Sequence, residues 1–234
     1  MDKVIQIYNI LKKRRYNRDT PYLENDLINR LRNFVNGNKP IKLVGFWGVG
    51  SKEEANLADV ASCEFLAQLN EDIKKIYAPG IQFTFIFATL HGIHNGISKR
   101  VMSSYLSDIK ILFKKFGFKF LDLEPLWKKY QISFKKINQI LNAKKGNWWS
   151  QIENVAQIEK NAKNRNRRLG ARIGAQKYYI MRDLEKKMLE QEFADSIFHA
   201  FSDTKLRNVL PNMPTLYFYA RKGWSDTPWF ITEK

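Results

Sequence analysis

The stretch "IKLVGFWGVGS", Ile41 to Ser51, decides the class of fold. It starts with an apolar run that does not alternate with polar residues, which is typical of a strand buried on both faces. Gly48 and Gly50 follow, and without a Cβ they let backbone amides approach a ligand closely. The stretch therefore predicts a buried strand that runs into a glycine-rich turn with the potential to bind a ligand.

A helix is expected directly after this turn. Ser51 and Glu54 have the spacing of a capping box, and apolar residues from Leu57 to Ile76 recur at helical spacing on one side. Ser51 has two interpretations, as a nucleophile or as a helix cap, and the sequence leaves both open.

The pattern of strand, helix and strand then continues along the chain. A second strand, "IQFTFIFATL", precedes a helix from about Ser98 to Phe116 and a third strand, "FKFLDL", and two last strands are expected in "TLYFYA" and "WFI". Such alternation predicts a parallel sheet with helices on both faces. We expect one α/β domain over residues 1–234, a Rossmann-like three-layer sandwich with a mainly parallel sheet, on which a helical segment, residues 1–36, packs as two N-terminal helices.

The composition indicates the type of partner. Forty Lys and Arg residues against 23 Asp and Glu give a net charge of +17, which favours a polyanion such as nucleic acid, an anionic membrane surface or an acidic protein. A generally basic surface without such a partner is the alternative. A single cysteine, Cys63, and the lack of an apolar N-terminal signal favour the cytoplasm. No apolar run reaches the roughly 20 residues that cross a bilayer, so a membrane role would have to be peripheral, and no membrane is expected among the partners.

The positive charge is most concentrated in "KNAKNRNRRLGARIGAQKYY", Lys160 to Tyr179, which has seven cations and no acid. Apolar residues at helical spacing, from Ile158 through Ile173 to Leu184, predict a helix that docks on the sheet and holds these cations in place. Arginine-rich helices suit phosphate backbones, although a charged run is often only a solvated face. The expected nucleic-acid contacts are Lys160, Lys163, Arg165, Arg167, Arg168, Arg172 and Lys177.

Polar residues that follow the second strand are candidates for chemistry. The turn "LHGIHNG" brings His91, His94 and Asn95 to a strand end, where they suit proton transfer or hydrogen bonding to a polar substrate. Plain turn chemistry is equally compatible, and two close histidines without a third ligand do not predict a metal site. His199, within "SIFHAF", is expected to be a packed helix residue.

Tyr179 and Asp183 form a second candidate, because side chains at i and i+4 are neighbours on a helix. They suit binding of a substrate ammonium group; packing of Tyr179 and pairing of Asp183 with Lys187 are the alternative. Trp47 and Asp226 are further candidates for the wall of a substrate pocket.

With these parts placed, the chain resembles the tRNA-dependent cyclodipeptide synthases. Its length, the "GVGS" turn with Ser51 and the basic helix that runs into "YYIMRD" carry the resemblance. The resemblance implies a Rossmann-like fold related to the catalytic domain of class I aminoacyl-tRNA synthetases, an aminoacyl-serine at Ser51, aminoacyl-tRNA and amino acids as substrates, and no cofactor. The Tyr-x-x-x-Glu motif of that family is here Tyr179 with Asp183, or Tyr178 with Arg182, a departure that would fit a divergent branch similar to the arginine-containing cyclodipeptide synthases.

A second resemblance is to isocyanide synthases of the tyrosine-isonitrile type. It rests on "ADVASCEFLAQLNEDIKKIYAPGIQFTFIFATLHGIHNG", Ala58 to Gly96, and on "TPWF" near the end. This resemblance implies a free amino acid as the substrate. Three functions are therefore expected in this order: cyclic dipeptide formation from aminoacyl-tRNA, an isonitrile-synthase-like reaction, and RNA binding without catalysis.

Overall fold

The central layer of the protein is a β-sheet. The computed structural model describes residues 2–13, 15–17, 19–49, 53–156, 158–160, 171–200 and 204–218. Within these ranges the strands are β1 (Ile41–Trp47), β2 (Ile81–Phe87), β3 (Lys119–Asp122), β4 (Ile197–Ala200) and β5 (Thr215–Tyr217). Their order is β3-β2-β1-β4-β5 and all four pairings are parallel. This arrangement confirms the predicted α/β, Rossmann-like class.

Helices cover the two faces of the sheet in separate groups. The described α-helices are α1 (Lys3–Leu11), α2 (Glu24–Asn36), α3 (Leu57–Lys74), α4 (Thr89–His94), α5 (Lys99–Phe116), α6 (Leu123–Lys129), α7 (Phe134–Ala143) and α8 (Ala171–Glu192). One apolar core contains buried residues of α1, α2, α3 and α5, and a second contains buried residues of α6, α7 and α8. Among the described residues, no helix combines the length and apolar character that crossing a bilayer requires.

The two N-terminal helices are present as predicted and belong to the first core. The segment between them also pairs with the edge strand β5, through isolated antiparallel bridges from Asn17 to Phe218 and from Tyr22 to Thr215. The Asn17 side chain accepts a hydrogen bond from the backbone N–H of Tyr217 at 2.6 Å. These contacts satisfy backbone groups that the edge strand would otherwise leave open.

The carboxyl ends of β1 and β2 lie side by side. Their register pairs Ile41 with Ile81 at one end and Trp47 with Phe87 at the other. In the sheet, β1 lies next to β4. The chain leaves β1 towards β2 on one side and leaves β4 towards β5 on the other side. In open parallel sheets, ligands bind at the carboxyl ends of two such neighbouring strands.

The helix after β1 begins later than the sequence suggests. Its N-cap is Asn56, which forms a capping box with Asp59, whereas Glu54 precedes the helix. The capping box predicted at Ser51 and Glu54 is therefore wrong, because Asn56 and Asp59 satisfy the first backbone N–H groups instead. Leu57, which we expected in the apolar stripe, is 85% exposed.

Two other elements differ from the sequence prediction. The segment "LHGIHNG" is not a turn, because its residues up to His94 form α4 directly after β2. The segment around His199 is strand β4, not a helix. The imidazole of His199 lies beside Gly45, where a Cβ atom would come within 2.3 Å of it, so the glycine of β1 makes room for a ring in the neighbouring strand.

The docked stripe of the basic helix is confirmed in part. Ile158 and Ile180 are buried, but Ile173 is 49% exposed. The buried apolar residues of α8 are Ala175, Ile180, Met181, Met188 and Leu189. Leu184 is partly buried, and Ala162 and Leu169, which the helical spacing places on the same predicted stripe, lie outside the described residues.

We expect His199 to make the stability of the fold sensitive to acid. Burial lowers the pKa of His199 to about 3, from an ordinary value of 6.5. Between these values the unfolded chain binds a proton that the folded chain does not, so stability is complete above about pH 6.5 and falls as the pH decreases. The difference in unfolding free energy between the wild type and His199→Leu should shrink by ~1.4 kcal/mol per pH unit between about pH 6 and pH 4, as measured by urea unfolding.

Phe198→Leu is the matched control, because it also alters a buried residue of β4 but removes no titrating group. Parallel pH profiles for the wild type and His199→Leu would show that His199 is not the source of the acid sensitivity.

Candidate active site

His91 lies at the carboxyl end of the sheet, in the short helix that follows β2. Its Nε2 atom is 2.8 Å from Oε1 and 3.0 Å from Oε2 of Glu185, on α8. The His91 side chain is 13% exposed, whereas that of Glu185 is fully buried. The histidine thus stands between the buried carboxylate and the surface.

Glu185 has further hydrogen-bond donors. Trp127 donates its indole N–H to Oε1 at 2.9 Å, and Arg182 donates from Nη1 to Oε2 at 2.7 Å. Burial alone would raise the pKa of Glu185. The charges of His91 and Arg182, and the hydrogen bonds from His91 and Trp127, outweigh it and hold this pKa below its usual value. The carboxylate is therefore ionised at neutral pH.

Arg182 is buried together with its partner. Its side chain is 5% exposed, and its guanidinium carbon lies 4.5 Å from the ring centroid of Phe46, near the end of β1. The Phe46 ring also contacts the His91 ring, with centroids 5.1 Å apart. Phe46 thus packs against both the cation and the histidine, and the charges of Arg182 and Glu185 balance each other.

Tyr178 and His94 adjoin this network. The Tyr178 ring centroid is 6.2 Å from that of His91 and 6.4 Å from that of His94. The His94 Nε2 atom is 3.2 Å from the carbonyl oxygen of Gly174. In the tautomer that carries its hydrogen on Nε2, His94 donates a hydrogen bond to this oxygen. Burial lowers the pKa of His94, which favours its neutral form.

This arrangement suits proton transfer. A histidine that is oriented by an ionised carboxylate, and is still partly exposed, can accept a proton from one group and give it to another. The pair of His91 and Glu185 has the base-and-orienter geometry of many enzymes with nucleophilic catalysis. In the described part of the chain, no group of three His, Cys, Asp or Glu side chains is placed to hold a metal ion.

Tyr179 and Asp183 lie on another side of α8. The Tyr179 ring contacts Trp148 and Trp149, at centroid distances of 6.5 and 5.9 Å, and burial raises its pKa. The Asp183 side chain is 56% exposed and lines an open groove of about 370 Å³ with Lys186, Lys187 and Arg207 among others. The structure thus brings Tyr178, not Tyr179, next to His91.

The other predicted site residues have varied positions. Trp47 is fully buried and donates its indole N–H to the Tyr105 hydroxyl at 2.9 Å, so it belongs to the core. Asn95 is partly exposed at the end of α4, and Gly48 is partly exposed just after β1. Gly50, Ser51 and Asp226 lie outside the described residues.

The predicted nucleic-acid contacts are described only in part. Lys160 and Arg172 are exposed, and Lys177 is partly exposed. Lys163, Arg165, Arg167 and Arg168 lie outside the described residues. The exposed cations are compatible with the predicted contact to a polyanion.

Sequence reasoning missed Glu185 and Trp127 and assigned no role to Arg182. A signal was present, because at about 100° per residue Glu185 falls between the buried positions Met181, Met188 and Leu189 on the helix. A carboxylate on an apolar helix face, with an arginine three residues before it, indicates a buried ion pair. Its third partner, His91, is 94 residues away in sequence.

Comparisons with known proteins show the fold. No family model and no curated protein matches the chain. The structure is similar to that of the PvcA protein from Pseudomonas aeruginosa, with a TM-score of 0.67 and 14% identity over 97% of this chain and 87% of that one.

Two tyrosyl-tRNA synthetases have a similar fold as well. The enzyme from Archaeoglobus fulgidus, complexed with L-tyrosine, has a TM-score of 0.51 and 13% identity over 92% of this chain and 63% of its own. The enzyme from Leishmania major, in complex with tyrosinol, has a TM-score of 0.51 and 12% identity over 100% of this chain and 33% of its own. The chain thus corresponds to only part of each synthetase. Its fold is the synthetase-related fold that the resemblance to cyclodipeptide synthases implied.

Proposed function

We propose that this chain is an enzyme that takes aminoacyl groups from aminoacyl-tRNA and forms a cyclic dipeptide through an aminoacyl-enzyme intermediate. One observation carries this proposal: the strand ends that lead to Ser51 and to His91 are neighbours in the sheet. Trp47 and Phe87 are partners in the register, and the backbone N–H of Ala88 donates to the Trp47 carbonyl at 3.0 Å.

The positions in sequence make the two groups compatible with one site. Ser51 follows the end of β1 by four residues, and His91 follows the end of β2 by four residues. Neighbouring strands are about 4.8 Å apart, and four residues span at most roughly 14 Å. These chain lengths therefore allow a serine nucleophile and a histidine base to act at the same edge of the sheet.

The proposed chemistry balances without a further reagent. The Ser51 hydroxyl attacks the carbonyl carbon of the aminoacyl ester, and the bond to the ribose oxygen breaks. His91 accepts the serine proton and gives it to the departing ribose oxygen. Over the whole reaction two amide bonds form and two tRNA esters break, and because these esters are already activated no other energy source is needed.

Three features support the tRNA partner. The net charge of +17 suits a polyanion, Lys160 and Arg172 are exposed, and the fold is shared with tyrosyl-tRNA synthetases. An assay with each charged tRNA in turn would identify the amino acids that enter the product.

Purified protein incubated with charged tRNAs should give cyclic dipeptides detectable by mass spectrometry. Ser51→Ala should abolish the product, and His91→Gln should lower its rate by roughly 10²- to 10⁴-fold, the usual contribution of a general acid–base group. Ser107→Ala, which changes an exposed serine on α5, is the matched control and should keep full activity. The proposal fails if no amino acid gives a product, or if Ser51→Ala remains active.

A non-catalytic RNA-binding protein would give a different result in the same experiment. It would bind tRNA with a steep dependence on salt concentration and form no product.

The two tyrosines of "KYY" should differ in their effect on this reaction. Tyr178 contacts both His91 and His94, whereas Tyr179 contacts the two tryptophans. We therefore expect Tyr178→Phe to reduce the rate of product formation by more than tenfold, and Tyr179→Phe to change it less than threefold, because only the first hydroxyl belongs to a side chain beside the histidines. The rates of product formation by the two variants are compared at saturating charged tRNA. A larger loss of rate in Tyr179→Phe than in Tyr178→Phe would contradict this prediction and favour the substrate-binding role of Tyr179 and Asp183.

An isonitrile-synthase-like reaction on a free amino acid is the second candidate. It is favoured because residues 58–96, which carry that resemblance, fold as α3, β2 and α4 and include His91. The residues that distinguish the first candidate, Ser51 and the densest cations, lie outside the described ranges.

Treatment with RNase separates the two candidates. Product formation from aminoacyl-tRNA should stop when RNase is added, because RNase degrades the tRNA that carries the aminoacyl group and that the enzyme binds. An isonitrile-synthase-like enzyme would instead consume a free amino acid and a sugar phosphate equally well with or without RNase.

A further inference from the structure

We propose that Glu185 is a positioning residue that holds His91 in one tautomer, with the proton on Nε2 and the lone pair on Nδ1. Nδ1 is then the nitrogen that exchanges a proton with the reacting groups. The catalytic consequence rests on the proposed function, but the tautomer is a property of the protein alone and is measured separately.

The geometry of the pair determines which nitrogen carries the proton. An ionised carboxylate only accepts hydrogen bonds, and both Glu185 oxygens lie within 3.0 Å of Nε2. Nε2 must therefore donate. A neutral imidazole has one N–H, so its Nδ1 carries the lone pair.

Nδ1 of His91 is available to a substrate. Among the residues that the structure describes, none forms a hydrogen bond with this atom, and it is not one of the fully enclosed polar atoms. The His91 side chain as a whole is 13% exposed.

Other residues keep Glu185 in the form that this role needs. Arg182 balances the charge of Glu185 and donates to its Oε2 atom, and Trp127 donates to its Oε1 atom. Each carboxylate oxygen therefore has a donor besides His91. Among the described residues, the charged and titratable groups of this network include Glu185, Arg182 and Tyr178 on α8 and His94 on α4, while the charge of Lys177 acts on His94.

Nitrogen-15 NMR of the histidine rings tests this inference directly. The chain has three histidines, so the signals of His91, His94 and His199 can be assigned with single variants. In spectra recorded at increasing pH, we expect the neutral form of His91 in the wild type to show a protonated Nε2 and an unprotonated Nδ1. Glu185→Gln should weaken this preference, so that the two ring nitrogens of His91 move towards averaged shifts.

Two further variants make the test decisive. Glu185→Gln leaves Arg182 buried without its ion-pair partner, so its folding is at risk; Arg182→Met with Glu185→Met removes both charges and retains similar side-chain volumes. Glu192→Gln is the matched control, since Glu192 is also on α8 but bonds to Lys129 and Tyr130. The inference predicts averaged His91 nitrogens in the double variant and wild-type signals in the control.

The outcomes separate this inference from the proposed function. A wild-type His91 with its proton on Nδ1, or a double variant with unchanged His91 signals, overturns the positioning role. The expected signals without any cyclic dipeptide would retain the positioning role and reject the reaction. If the reaction occurs, Glu185→Gln should lower kcat by roughly 10²-fold or more with little change in KM, because the wrong tautomer cannot accept the proton.

Discussion

The burial of an ionised carboxylate, Glu185, is the constraint on which the carboxyl end of the sheet depends. Removing a charge from water costs several kcal/mol, and only close partners offset that cost. Glu185 finds them in His91 after β2, Trp127 on α6 and Arg182 on its own helix. Segments far apart in sequence must therefore meet at one point, and this requirement sets the position of α8 against the end of β2.

The same contacts give His91 its chemical character. A histidine on a mobile turn would sample both tautomers, whereas here the His91 ring is held by the contact of Nε2 with Glu185 and by packing against the tilted ring of Phe46. A side chain that is already held in the orientation it needs adds no reorganisation free energy to the barrier of a reaction. The stability of the fold and the orientation of His91 thus have a common physical origin, and the contact with Phe46 places His91 beside the end of β1.

Local pattern predicted the order of the main elements well. The strands β1, β2 and β3, the helix after Ser98 and the two N-terminal helices were all predicted, because buried apolar runs and helical periodicity are local signals. Errors occurred where a tertiary contact overrides local preference. His199 is in a strand, where Gly45 of the neighbouring strand leaves space for its ring. The start of α3 was misplaced for a different, local reason, because Asn56 and Asp59 form the capping box and Glu54 precedes the helix.

The sequence by itself determined the α/β class, the parallel sheet, the basic character of the chain and the presence of histidines after the second strand. These follow from composition and from periodicity along the chain, which require no knowledge of distant contacts. Only the tertiary structure decided that Tyr178 rather than Tyr179 adjoins His91, and that Glu185, Arg182 and Trp127 surround it. The reason is physical: which face of a helix meets which strand end depends on packing and on the pairing of buried charges between segments up to 94 residues apart.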